Sequence, residues 1–354
     1  MGSILGYRGS KNVLLNINLN MYRSICFVVM LILFSHIRAQ EISSLGKRPG
    51  ASFRGLSVVN DRVAWVSGSN GQVGRTTDGG TNWEWLKVTG FEKNDFRDIE
   101  AFDEQRALIM SIASPGYILK TIDGGRSWKT VYSDTSRDVF MDAMDFNNSG
   151  KGMVIGDPQD GRMYAATTQD RGDTWEKMPA SKRPSLLDGE AFFASSGTNI
   201  RITGKDAFIA SGGKSARFLN DESSTLLPLL QGKQSTGANS IAIWPVLDEV
   251  KQIVVVGGDF AADSIATNNC FFSSDGGKTW IPPAVGPHGY RSCVEFIDQN
   301  KLIACGTSGV DVSEDRGVHW RIISKESFHV VRKAKNGKLI LLAGAGGKLA
   351  KLIW

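Results

Sequence analysis

Seven short segments of the chain overlay without gaps, and one column of that alignment carries the residues suited to chemistry: Arg54, Arg97, Met141, Glu190, Asn239, Arg291 and His329. Three guanidiniums, a carboxylate, an amide and an imidazole around one axis would grip an anionic or polar group, because guanidinium forks match planar anions two bonds at a time. The same ring would equally suit a channel that is merely wet, since buried charges must be paired or hydrated wherever they stand. His288 and Tyr290 flank Arg291, while Asp157, Asp160 and Asp259 fall in glycine-rich turns expected at the same face. Arg54, Arg97, Glu190, Asn239, Tyr290, Arg291, His329, Asp157 and Asp259 are therefore the candidate ligand- or partner-binding residues. Their common mouth is where a ligand would be sought.

Other chemistries find no support in the residues. His36 belongs to a leader segment, which leaves His288, His319 and His329; with no H-E-x-x-H or Cys-x-x-Cys spacing, no metal site is expected. The glycine-rich stretch ending in Lys348 has Leu342 where a phosphate loop needs its first glycine. No G-x-G-x-x-G opens a helix and no G-x-S-x-G elbow occurs, so neither a dinucleotide cofactor nor a serine hydrolase is expected. No catalytic residue is assigned and no cofactor is expected.

The elements that position the column announce themselves by repetition. Ser/Thr-x-Asp-x-Gly-x-x-Trp occurs five times, anchored on Asp78 with Trp83, Asp123 with Trp128, Asp170 with Trp175, Asp275 with Trp280, and Asp315 with Trp320. Asp and Ser/Thr can bond the amides of their own turn, the glycine supplies positive φ, and the tryptophan buries a large ring just beyond. One such carboxylate per hairpin cannot converge on a shared ion, so Asp78, Asp123, Asp170, Asp275 and Asp315 are read as turn locks. The tryptophans recur roughly every 45 residues, with a double gap around a decayed copy at 217–221, and repeats of that period mean propeller blades.

Each unit opens on a short apolar segment: 53–58, 96–101, 140–145, 189–193, 238–242, 290–294 and 328–332. A second apolar run and a glycine-bearing turn follow, and helical periodicity is nowhere sustained. The expectation is an all-β, seven-bladed propeller whose openings are the innermost strands. The last unit is one strand short, and the segment 41–48 is the natural donor that closes the ring without leaving an edge.

Ahead of the repeats, Arg23 precedes an apolar run at 26–34, and Ala39 follows a small-residue pattern. Residues 1–39 read as a secretory signal cleaved near Ala39, with 1–20 an upstream extension from a misassigned start, because Met21 stands just before the apolar run. The run is short for a membrane span. Residues 40–354 are then one propeller domain, exported to the periplasm or the extracellular space and open to association with the envelope. Three cysteines remain, Cys270, Cys293 and Cys305; the odd number argues against a disulfide framework, and Cys293 and Cys305 either pair across neighbouring strands or are two buried thiols. The net charge of +5 is mild and scattered, so no nucleic-acid surface is expected. The domain is expected to be a monomer.

The five turns match the Asp-box, or BNR, repeat. Together with the aromatic-Arg inner strands and the Arg75–Gly80 segment, the chain most resembles the photosystem II assembly and stability factor-like propellers, and more distantly the sialidase-like ones. The first resemblance implies an exported, non-enzymatic platform that binds a protein partner or an anionic ligand, with Arg54, Arg97 and Arg291 as its binding patch. The second implies an exo-acting glycoside hydrolase on a glycan, with Arg54, Arg97 and Arg291 around a carboxylate, Tyr290 as nucleophile and Glu190 assisting it. The sialidase F/Y-R-I-P motif is absent here, since Gly55 and Leu56 follow Phe53 and Arg54.

Overall fold

The computed structural model describes residues 1–2, 40–221, 223–244 and 252–354. The expected signal segment, with its apolar run and all but the edges of its cleavage site, lies outside these residues. The propeller is the compact unit Ile42–Ile353. Among the described residues there is no α-helix, only two three-residue 3-10 turns.

Seven antiparallel sheets make seven blades, each starting with a strand that lies against the first strands of its two neighbours. These first strands are Phe53–Val58, Phe96–Ala101, Met141–Phe146, Ile200–Thr203, Thr236–Trp244, Cys293–Phe296 and Val330–Lys333. Val330–Lys333 packs on Phe53–Val58, so the ring is closed. Closure is sealed at the rim of blade 7, where Glu41–Lys47 forms the outermost strand beside Lys348–Ile353. The amides of Arg48 and Phe53 add bonds to the carbonyls of Gly347 and Gly344 at 2.9 and 3.1 Å.

The five repeated turns hold themselves and their neighbours. In the first, Thr76 Oγ1 donates to Asp78 Oδ1 at 2.9 Å and accepts from the Gly80 amide at 3.0 Å, while the Asn82 amide donates to Asp78 Oδ1 at 2.9 Å. The other four repeat these bonds around Asp123, Asp170, Asp275 and Asp315. The glycine of the pattern has positive φ in all five, from 74° to 91°. Its freedom has a second use, because a Cβ at Gly125 would sit 2.6 Å from Leu86, and one at Gly277 would sit 2.4 Å from Phe218. Both neighbours belong to the preceding blade. The tryptophans enter the same seams: Trp128 packs with Trp65 and Val73 of blade 1, and Trp320 with Val254 and Val256 of blade 5. The repeat therefore rivets blade to blade as well as bending a hairpin.

Blade 4 departs from expectation. Its first strand is Ile200–Thr203 rather than 189–193, and Glu190–Ala191 is a two-residue strand paired with Gly212–Gly213, which joins the sheet of blade 5. Glu190 is the cause: its buried carboxylate accepts from the Leu187 amide at 2.8 Å, Ser211 Oγ at 2.5 Å and Arg217 at 2.7 Å, holding the segment across the mouth of the ring.

Candidate functional site: the channel mouth

A recurrent β-bulge builds the site. In blade 1, Phe53 pairs with Gly68 and Gly55 with Ser67, which leaves Arg54 unpaired and turned out of the ladder. The same slip frees Arg97 in blade 2, Asp142 in blade 3 and Asn239 in blade 5. A bulge bends its strand and re-aims a side chain, and here all four line one cavity of about 870 Å³ at the channel mouth. In blades 1, 3 and 5 a glycine opposite the bulge gives it room, since a Cβ at Gly68, Gly156 or Gly257 would come within 2.2 Å of a backbone carbonyl oxygen, while blade 2 has Ser111 at that place.

The cavity brings together Arg54, Arg97, Asp157, Glu190, Asn239, Tyr290 and His329, with Phe140, Phe193 and Phe260 as apolar walls. Asp259 and Arg291 are not among its lining residues. Arg291 is wholly buried inside blade 6, where it takes the place that Phe53, Phe96 and Met141 occupy in their blades. Its Nε donates to Asp311 Oδ2 at 2.7 Å and its Nη2 pairs with the same carboxylate. Further bonds run to the carbonyls of Tyr290 and His288, at 2.7 and 2.8 Å. Asp311 accepts from His288 Nδ1 as well, at 2.7 Å. Ser292 lines the cavity where the alignment expected Arg291, and Asp142 where it expected Met141. Asp259 is buried and bonded to the Ala261 amide at 3.0 Å, with Lys233 at 3.4 Å. Asp160, the tip of a turn at φ 53°, is exposed and also outside the lining.

The lining groups differ in what they have left to offer. Glu190 is consumed by Arg217 and Ser211. Tyr290 donates its hydroxyl to Asn239 Oδ1 at 2.8 Å, Ser195 Oγ donates to the same oxygen at 3.1 Å, and burial pushes the phenol above its ordinary value. His329 donates from Nδ1 to the Phe53 carbonyl at 3.1 Å. Burial, then Arg54, lower it to about 4, so it is neutral at neutral pH. Arg54 reaches only the Ser195 carbonyl, at 3.4 Å, and Arg97 only Asp95, through Nε at 2.8 Å, among the described residues. Burial and the nearby Arg97 both lower the pKa of Arg54. Two adjacent guanidiniums with most donors unspent form an anion-accepting wall.

Cys293 and Cys305 stand directly opposite each other on neighbouring strands of blade 6, buried and free, and Cys270 is likewise free. No group of three or more His, Cys, Asp or Glu side chains suited to a metal ion occurs among the described residues.

No family model matches the sequence. The chain is 25% identical over 267 residues to the photosystem II assembly lipoprotein Ycf48 of Synechococcus sp. (strain CC9902), covering 73% of this chain and 70% of that one. Among solved structures it is similar to one described as YCF48 bound to D1 peptide, with a TM-score of 0.62, 17% identity, and 90% and 98% of the two chains covered. It is also similar to YCF48 from Cyanidioschyzon merolae, at 0.61, 16%, 89% and 98%. A third is the WD40 propeller domain of Doa1, at 0.58, 11%, 89% and 97%. In sequence and in fold the chain resembles the photosystem II assembly factor-like propellers.

Proposed function

We propose that this chain is a non-enzymatic propeller that binds a protein partner at its channel mouth, as an assembly or stability factor does. The observation that carries the reading is the Arg54–Arg97 wall: two guanidiniums side by side in a cavity of about 870 Å³, each with one hydrogen bond among the described residues. Such a wall suits a carboxylate of a partner polypeptide, because the fork geometry of each guanidinium accepts a planar anion. The similarity to a lipoprotein named for assembly, and to a propeller solved with a peptide, supports the same class of role. The central test is site-specific cross-linking from the cavity, with Arg54→Ala and Arg97→Ala as the control.

Nothing in the geometry favours the sialidase-type reading. That chemistry needs three convergent arginines with a free Tyr/Glu pair. Arg291 is held by Asp311, Glu190 by Arg217, and the Tyr290 hydroxyl by Asn239. Export belongs to the proposal as well, on the strength of the basic-apolar-small order of residues 23–39. Sequencing the N-terminus of the protein recovered from its host checks it: a start at Gln40 is expected, and a retained residue 21 on an intracellular product would refute it.

A further inference from the structure

The bulge of blade 3 turns a carboxyl group, where blades 1 and 2 turn guanidiniums, toward the same cavity. Asp142 is 0% exposed; the amides of Ala194 and Asp157 lie near enough to favour its charged form, yet neither oxygen closes a well-formed hydrogen bond among the described residues. Buried polar groups are nearly always bonded, so an orphaned carboxyl in a cavity wall marks a place where a donor belongs. Asp157 stands beside it on the lining, with Oδ1 accepting from the Phe192 amide at 3.0 Å. Arg97 is near enough to act on Asp142 electrostatically, yet its Nε is committed to Asp95, and no ion pair joins Arg97 to Asp142. The two arginines therefore do not satisfy the acidic wall. One wall keeps unspent guanidinium donors, and the other keeps a buried carboxyl that no well-formed hydrogen bond closes.

Resting on the reading of this mouth as a polypeptide site, we infer that it is two-poled: the Arg54/Arg97 wall takes an acidic side chain or chain terminus, and the Asp142/Asp157 wall takes a Lys or Arg side chain of the same segment. The preferred partner is thus a peptide carrying both signs within a few residues. A purely acidic one fills half the site and leaves Asp142 orphaned. A cation drawn against buried carboxyls also has a proton signature. Burial and the neighbouring Asp157 favour the protonated form of Asp142, against the pull of Arg97 and the Ala194 and Asp157 amides, and burial raises Asp157 too, against the Phe192 amide. The other charged groups on the lining are Asp138, Arg54 and Glu190, the last paired with Arg217, while His329 stays neutral there. Docking an ammonium displaces the proton, so binding of the mixed peptide releases protons and tightens as pH rises.

The test is fluorescence anisotropy with labelled peptides of equal length, one carrying only Glu and one carrying Glu and Lys two residues apart, on the full chain at pH 7.5. The mixed peptide is expected to bind about tenfold more tightly, the effect of one desolvated charge pair. Asp142→Asn, close in shape, is expected to erase that preference, so that the two peptides bind this variant alike; Asp157→Asn serves if the first variant melts early. Calorimetry in two buffers of different ionisation enthalpy, MOPS and Tris, is expected to show more proton release on binding the mixed peptide from the wild type than from Asp142→Asn. Equal binding of the two peptides by the wild type, a preference that survives Asp142→Asn, or binding of neither overturns the two-pole inference. Failure of the polypeptide reading itself is distinguishable: the acidic peptide would then bind the wild type and the Arg54→Ala/Arg97→Ala variant alike.

Discussion

Single carboxylates in this molecule are tuned in opposite directions by their surroundings. At the turns, Asp123 and Asp170 accept from the hydroxyls and the amides of Ser127 and Thr174, which holds both at about 2. Their folded values lie below the usual unfolded value near 4, so the unfolded chain takes up protons first on acidification. The stability they contribute is complete above about pH 4 and drains away toward pH 2. Asp123→Ala should cost about 1 kcal/mol at pH 7, the net worth of exposed turn hydrogen bonds, and less at pH 2. Urea midpoints of the two proteins across that range check it, and a gap that stays constant with pH would refute it. Inside the ring the sign reverses: Asp98 is fully enclosed and pushed up to about 7 by burial, although the Met144 and Ile99 amides donate to it.

Strand by strand, the sequence carried much of the architecture but not its exact register. The five turns, the count of seven blades and the missing outer strand of blade 7 were legible because each is a repeated local pattern. The cavity lining was legible at Arg54, Arg97 and Asn239, where the aligned column coincides with the bulge, and at His329 just ahead of the first strand of blade 7. It slipped by one residue in blades 3 and 6, because aromatic Phe140 and Tyr290 were matched with buried Phe53. The glycine at the end of the second strand is the better ruler: Gly68, Gly156 and Gly257 mark the bulge, Gly306 meets the Tyr290 carbonyl in the same way, and counting from them selects Asp142 and Ser292. Blade 4 was hidden for another reason, since Glu190 is fixed by side-chain bonds from Arg217 and Ser211 that no periodicity reveals. The slip at blade 6 changes what Arg291 is for. Arg291→Ala strands Asp311 in the blade core and should destabilise the fold by about 3–5 kcal/mol, whereas replacing both partners with apolar residues of similar volume should recover most of that loss. Thermal and urea unfolding measure it; an unchanged melting temperature with lost partner binding would return Arg291 to the site.

At the scale of the whole molecule, the ring is what turns seven weak local choices into one site. Each first strand touches the next, Glu41–Lys47 supplies the outer strand of blade 7, and His329 of blade 7 bonds Phe53 of blade 1 across the closure. Residues far apart in the chain, Arg54 and His329 among them, thereby share one mouth. The account stands on that mouth being occupied by a polypeptide. The most direct measurement places a photoreactive benzophenone amino acid at Thr307, an exposed lining residue, and at Lys129 on the outer strand of blade 2, and irradiates the protein in extracts of its own host. The account predicts a discrete polypeptide adduct from position 307, absent from position 129, that disappears in the Arg54→Ala/Arg97→Ala background. Adducts that are equal at both positions, absent at 307, or indifferent to the two arginines would contradict it.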